Sequence, residues 1–211
     1  MMPALILVVA TATAAPQPDP EPWLESVVLL TTGASICAGA LIDDQGTVAT
    51  AYHCVASGRR PRAETRAGEG GVGRVIAASP RDDLALVQVE ALAGRPWLEV
   101  RGDDLVPGEA VWALGHPFGG NSSPLFDGLL RWSVSSGVVS AVGGRLTQVD
   151  APMNPGNSGG PLVDAEGRIA GIASRKLRAD NIAFMTPASK LQELVDEPEP
   201  ARLVLGGQVG P

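Results

Sequence analysis

The 211-residue sequence is short of several things that usually announce a function. It holds two cysteines and two histidines, in no spacing that a structural zinc site uses, so no metal centre is indicated. Basic residues number 16 against 23 acidic ones, for a net charge of -7, and no basic stripe runs along the chain. That balance excludes a nucleic-acid backbone as the expected partner. The one arginine group, Arg59, Arg60, Arg62 and Arg66, lies in a glycine-rich stretch and reads as a solvated face. Aromatic residues make up 4% of the chain. No apolar run is long enough to span a bilayer as a helix, so stable membrane insertion is not expected.

What is abundant is turn chemistry. Glycine (26) and proline (18) make up about a fifth of the chain, well above average usage. Between them stand short runs rich in Val, Ile, Leu and Ala: "SVVLLTT", "CAGALID", "TVATAYHC", "RVIAAS" and "LALVQVE" in the first half. "EAVWALG", "SSGVVSAV", "LTQVDA", "PLVDAEGRIAGIAS" and "NIAFMT" follow in the second, with "DAEG" as a hairpin turn. No helical pattern separates these runs, so parallel βαβ units are not indicated and the expected fold is all-β. The stretch 94–108 reads as a connector between two lobes. The one convincing helix is 187–196, with Thr186 as N-cap, Pro187 in the first helical position, and Ala188, Leu191, Leu194 and Val195 on one face.

The N-terminus carries an apolar run, Ala4 to Ala10, followed by small residues with Ala12 and Ala14 in an A-x-A arrangement. This reads as a signal peptide over 1–14, lacking only a basic n-region, and implies export with no membrane insertion after cleavage. The proline-rich residues 15–23 read as an extended linker and 197–211 as a flexible tail. In an exported chain, Cys37 and Cys54 suggest one disulfide.

The stretch "NPGNSGGPL", 154–162, surrounds a single hydroxyl with backbone freedom. Such a stretch suits a bland turn, and equally a nucleophilic serine whose preceding N–H groups face a developing oxyanion. A nucleophile needs a base and a third group to orient that base. His53, beside Cys54, suits the base better than His116, which sits in the turn "GHPFGG" and reads as structural. Asp82 and Asp83 precede an alternating apolar strand and supply the acid, giving the chain order His, Asp, Ser.

Together "CAGALID…TVATAYHC", "DDLALVQ" and "NPGNSGGPL" resemble the trypsin-like serine proteases of the chymotrypsin fold. "GHPFGG", "SGVVSA", "DAPMNPGNSGGPL" and "NIAFMTP" bring the resemblance closest to the bacterial HtrA/Deg protease domain. It runs from about residue 25 to 195. The resemblance implies two six-stranded antiparallel β-barrels, about 24–100 and 106–186, with the helix 187–196 completing a protease domain over 24–196. It implies His53 as general base, Asp83 as its orienter, Ser158 as nucleophile and no cofactor. Asp83 is preferred to Asp82 because the family's acid immediately precedes a hydrophobic residue and alanine, here Leu84 and Ala85. Gly156, Asn157 and Ser158 would form the oxyanion hole, and Ser174 would support the aspartate. Pro152, Met153, Ala173, Ser174, Arg175, Ile182, Ala183 and Phe184 would shape a shallow apolar substrate pocket, with Arg175 free to swing over its entrance.

The departures from the family are informative. The paired cysteines look more like the animal trypsin branch, and the loop 121–132 is longer than the family's usual turn. The residues after the helix are too few for the PDZ domain that most HtrA proteases carry. Asn157 stands where zymogen relatives keep an aspartate, which implies activity without propeptide cleavage. The expected function is an exported serine endopeptidase acting on polypeptides. The alternative is a chaperone-like or scaffold module that grips peptide strands with little cleavage. An esterase or acyltransferase is disfavoured because a strand, and not a helix, follows "GNSGG".

Overall fold

The structure, a computed structural model, describes residues 18–119, 129–176 and 181–198. The expected leader, the start of the linker, most of loop 121–132 and nearly all of the tail lie outside the described residues. The alternating runs become strands because successive side chains of an extended chain face opposite sides, and the bordering Gly and Asp-rich pairs turn the chain back. The first half forms β1 (Val27–Thr32), β2 (Ser35–Leu41), β3 (Thr47–Thr50), β4 (Arg62–Thr65), β5 (Gly70–Val72), β6 (Arg74–Ser79) and β7 (Leu84–Gln88). The second forms β8 (Ala110–Gly115), β9 (Ser133–Val142), β10 (Thr147–Val149), β11 (Pro161–Val163), β12 (Ile169–Lys176) and β13 (Ala183–Pro187).

The second set closes into a six-stranded barrel in the order β10-β13-β12-β11-β8-β9. The first departs from the expected six-stranded barrel. It is a curled seven-stranded sheet, β5-β4-β1-β2-β3-β7-β6, whose outer strands do not pair with each other. The extra pair, β4 and β5, falls in the stretch read as an arginine-rich loop; Arg59, Arg60, Arg62 and Arg66 are exposed there as expected. Val28, Leu30, Leu41, Val48 and Val87 fill the curled sheet. Val111, Val139, Val149, Leu162 and Met185 fill the barrel.

Two elements tie the lobes together. The proline-rich approach is not extended to its end: Glu21–Leu24 make one helical turn, α1, with Pro22 at its start, where a missing N–H costs nothing. α1 buries Trp23 and Leu24, and Trp23 meets Trp112 of β8 edge-on at 6.0 Å. The closing helix, α2 (Ala188–Asp196), begins one residue later than expected. Pro187 occupies its N-cap position, and Thr186 caps nothing because its hydroxyl donates to the Asp82 carbonyl at 2.7 Å. Ala188, Leu191 and Leu194 are buried, whereas Val195 is exposed. α2 packs on β12 and β13 and also reaches β6 and β7, so it spans both lobes.

Candidate active site

The triad candidates come from three turns that face one another between the lobes. After β3 the chain tightens into a 3₁₀ turn, Tyr52–Cys54, which carries His53. Cys54 is bonded to Cys37 of β2, and its sulfur lies 3.7 Å from the Ser158 carbonyl oxygen. The disulfide therefore holds the histidine turn against the serine loop. Cys37, Cys54 and His53 bring their sulfur and nitrogen atoms within 4.8 Å of one another, but sulfurs bonded to each other offer no thiolate to a metal.

Asp83 sits at the turn into β7 in the left-handed region, φ 57°, uncommon outside glycine but best tolerated by Asp and Asn. His53 Nδ1 lies 2.9 Å from its Oδ2 and 3.0 Å from its Oδ1, and the His53 backbone N–H donates to Oδ1 at 3.0 Å. The Ser174 hydroxyl donates to Oδ2 at 2.6 Å. Burial alone pushes the Asp83 carboxyl up, yet the hydrogen bonds from His53 and Ser174 outweigh it and hold the group below the usual carboxylate range. An ionised Asp83 accepts only, so Nδ1 of His53 carries the proton and the Nε2 lone pair is left free. The neighbouring Asp82 makes no contact of this kind; it is bonded to Ser79 and Arg145.

Ser158 lies in the turn between β10 and β11. Its carbonyl accepts from Ala38 N–H of β2 at 2.8 Å, and Gly159 N–H donates to Ala173 of β12 at 2.8 Å. The loop is thus held from both lobes. Among the described residues no hydrogen bond joins the Ser158 hydroxyl to His53.

The residues before Ser158 form a tight turn in which Asn157 N–H donates to the Asn154 carbonyl at 2.9 Å. The Asn157 N–H is therefore committed, a correction to its expected place among the oxyanion donors. The Pro155 carbonyl accepts from Phe118 N–H at 2.6 Å. In a planar trans peptide the Gly156 N–H then points the opposite way. Among the described residues, neither Gly156 N–H nor Ser158 N–H has a protein acceptor. Gly156 adopts φ 99°, and a Cβ there would collide with the His116 carbonyl and lie 2.5 Å from Gly119 N. Only glycine fits.

The expected pocket residues are partly elsewhere. Met153, Ala173 and Ala183 are packed into the barrel core, Pro152 is exposed, and Ser174 is turned to Asp83. Ile182 and Phe184 are half-buried, while the Arg175 side chain lies outside the described residues.

His116 is fully buried. Its Nδ1 accepts the Trp132 backbone N–H at 3.1 Å and its ring meets the Trp132 ring edge-on at 5.1 Å. The proton-bearing Nε2 reaches no acceptor at hydrogen-bond geometry. Burial pushes the imidazole down to about 4; the Val28 carbonyl offsets this only in part, and Arg131 adds to it. Because the folded pKa lies below the unfolded 6.5, the unfolded chain binds the extra proton as pH falls. Stability is expected to fall between pH 6.5 and about 4, by on the order of 3 kcal/mol from this group. Urea unfolding at pH 7 and pH 4.5 checks it, since His116→Gln should remove that part of the pH dependence while still accepting from Trp132.

A curled β-sheet and a closed β-barrel, with a His–Asp pair and a serine loop between them, define a peptidase-like class. Residues 37–172 match the trypsin-like peptidase domain model, and the chain belongs to that family. Its relatives are of the HtrA type. It is 32% identical over 173 residues to serine protease HTRA1 of Xenopus tropicalis, covering 76% of this chain and 35% of that protein. It is 31% identical to the putative serine protease HhoB of Synechocystis, covering 75% of this chain and 39% of that one. With a probable periplasmic serine endoprotease DegP-like of Pseudomonas fulva it shares 32% over 195 residues, covering 83% and 37%. The chain thus spans little more than a third of these relatives' length. The fold is similar to that of the serine endoprotease from Yersinia pestis, at TM-score 0.74 and 22% identity, covering 90% of this chain and 66% of that one.

Proposed function

We propose that this protein is an exported serine endopeptidase that cleaves extended or unfolded polypeptides, in protein quality control or extracellular proteolysis. The observation that carries the reading is the Asp83 carboxylate, 2.9 Å from His53 Nδ1 and braced by Ser174, with two unengaged N–H groups beside Ser158. Ser158 attacks the scissile carbonyl while His53 Nε2 takes its proton, and the imidazolium that forms is stabilised by Asp83. The negative charge on the carbonyl oxygen is met by Gly156 and Ser158 N–H. His53 then returns its proton to the leaving amine, and water hydrolyses the acyl-enzyme by the same route. The Ser158 hydroxyl and His53 Nε2 are expected to hydrogen-bond when a peptide fills the cleft.

An extended substrate is favoured by the edge of β12. Beyond a bulge at Ser174, Arg175 and Lys176 pair with Phe184 and Ala183 of β13 on one side, and among the described residues no strand occupies the other. A peptide strand added there brings its backbone alongside Ser158, and chains that are already folded have no such strand to offer. No acidic residue stands in the expected pocket set, so a buried guanidinium would be unpaired and costly. Cleavage is expected after small or medium aliphatic residues (Val, Ala, Leu, Ile). A peptide-library profile led by Arg and Lys would overturn the pocket. Hydrolysis of unfolded casein tests the activity itself, and tight casein binding without cleavage would favour the peptide-gripping module instead.

Export rests on the apolar leader pattern and on the periplasmic naming of DegP-like relatives. Gly156→Ala is expected to lower kcat about 10²- to 10³-fold, the usual cost of one oxyanion donor, with KM little changed. The added methyl meets backbone at His116 and Gly119, so the turn must move. Steady-state kinetics on a peptide substrate checks this.

A further inference from the structure

We infer that Arg145, at the tip of the β9–β10 hairpin of the barrel, is a positioning residue that acts across the cleft on Asp83 by clasping its neighbour Asp82. The inference rests on the proposed triad and adds a residue that the triad does not contain. Arg145 donates twice to Asp82 Oδ1, from Nε at 3.1 Å and from a terminal nitrogen at 2.9 Å. The same terminal nitrogen donates to the Arg81 carbonyl at 2.7 Å. One planar guanidinium thus holds both residues that lead into Asp83. Ser79 Oγ donates to the other carboxylate oxygen of Asp82 at 2.8 Å. The Asp82 carbonyl is fixed by Thr186, and the Asp83 carbonyl accepts from Tyr52 N–H at 3.0 Å.

Asp83 needs this support because its backbone is left-handed, and such a residue keeps its conformation only when its surroundings over-determine it. Without the clasp, the turn is free to relax towards ordinary backbone angles, which would rotate the carboxylate away from His53 and Ser174. Asp82, Asp83, Arg145 and Ser174 also line one open cavity of about 260 Å³ with Arg81 and Leu146. Solvent and salt therefore reach the pair, whose side chains are 44% (Arg145) and 18% (Asp82) exposed. Lys190 of α2 adds a favourable field at Asp82 that Arg145 variants leave in place.

The test compares Arg145→Ala, Arg145→Lys, Asp82→Asn and the double variant Asp82→Asn/Arg145→Ala. Arg145→Ala is expected to lower kcat about five- to tenfold with KM within about twofold, since small misplacements of a catalytic group act on the chemical step. Its Tm should move by less than about 2 °C, as for other exposed substitutions. Arg145→Lys should recover part of the loss, because the charge stays but the fork is gone. The double variant should be no worse than the worse single, as for two partners of one interaction. Raising NaCl to about 1 M should move the wild type towards Arg145→Ala and leave Arg145→Ala itself unchanged. Proton NMR supplies a readout independent of turnover: the downfield Nδ1 proton of His53 should broaden or shift upfield in Arg145→Ala. If the wild type hydrolyses nothing, the proposed activity fails, while that resonance still tests the clasp. An unchanged resonance, an unchanged kcat, or losses that multiply in the double variant would overturn it.

Discussion

Ser158→Ala is expected to lose about six orders of magnitude in kcat on a peptide substrate while folding as the wild type does. The loss of any hydroxyl nucleophile of this kind leaves only the acceleration that binding and the oxyanion donors supply. The structure makes the substitution mild for the fold. The contacts that hold residue 158 are made by its backbone, through Ala38 N–H to its carbonyl, and none of the described hydrogen bonds uses its hydroxyl. Kinetics together with circular dichroism and thermal melting check both halves. A variant that melts well below the wild type would show that the hydroxyl holds structure as well. A variant that keeps more than about a hundredth of the activity would remove Ser158 as the nucleophile.

Asp83→Asn is expected to cost on the order of 10⁴ in kcat. The amide either offers its NH₂ to His53, which forces the imidazole to put its proton on Nε2, or turns it to Ser174, whose hydroxyl must then accept instead of donate. A proton on Nε2 leaves the ring unable to accept from Ser158. Asp82→Asn is expected to cost less than about tenfold, because its carboxylate meets Arg145 and Ser79 and does not touch His53. Equal losses at the two positions would contradict the assignment. The two behave alike towards pH. Burial raises the carboxyl of each, but hydrogen bonds hold both below their unfolded value of 3.8. Their contribution to stability is therefore present above that value and is lost as pH falls through the lower folded values. Acid unfolding of Asp82→Asn should accordingly be less steep below pH 4.

The serine turn was legible because its chemistry is local, whereas His53, read as the end of a strand, sits in the 3₁₀ turn that follows β3. "NPGNSGGPL" names its own turn, and the apolar runs before and after His53 predict strands by period alone. Choosing Asp83 over its neighbour needed the family's register, since composition treats two adjacent aspartates alike. What escaped was set by tertiary contacts. β4 and β5 are short, and "GGV" has no apolar period to detect. Thr186 looked like a helix cap because its alternative partner, the Asp82 carbonyl, lies 104 residues away. Asn157 was counted among the expected oxyanion donors because the turn bond from its N–H to Asn154 is invisible in a list of residue types. Met153 and Ala183 read as pocket wall by analogy, but the narrow barrel interior takes them as packing. The Arg145 clasp joins positions 63 residues apart and carries no motif at all.

The central claim is that Ser158 is an activated nucleophile and not merely a turn residue. A fluorophosphonate reacts covalently with a serine only where a base and an oxyanion site act on it together. Incubating the folded protein with such a probe, digesting it and mapping the adduct by mass spectrometry is the most direct measurement. The account predicts one adduct, on Ser158, that disappears in Ser158→Ala and forms far more slowly in His53→Ala and Asp83→Asn. No adduct on Ser158, or labelling that proceeds as fast in the His53→Ala protein, would contradict it.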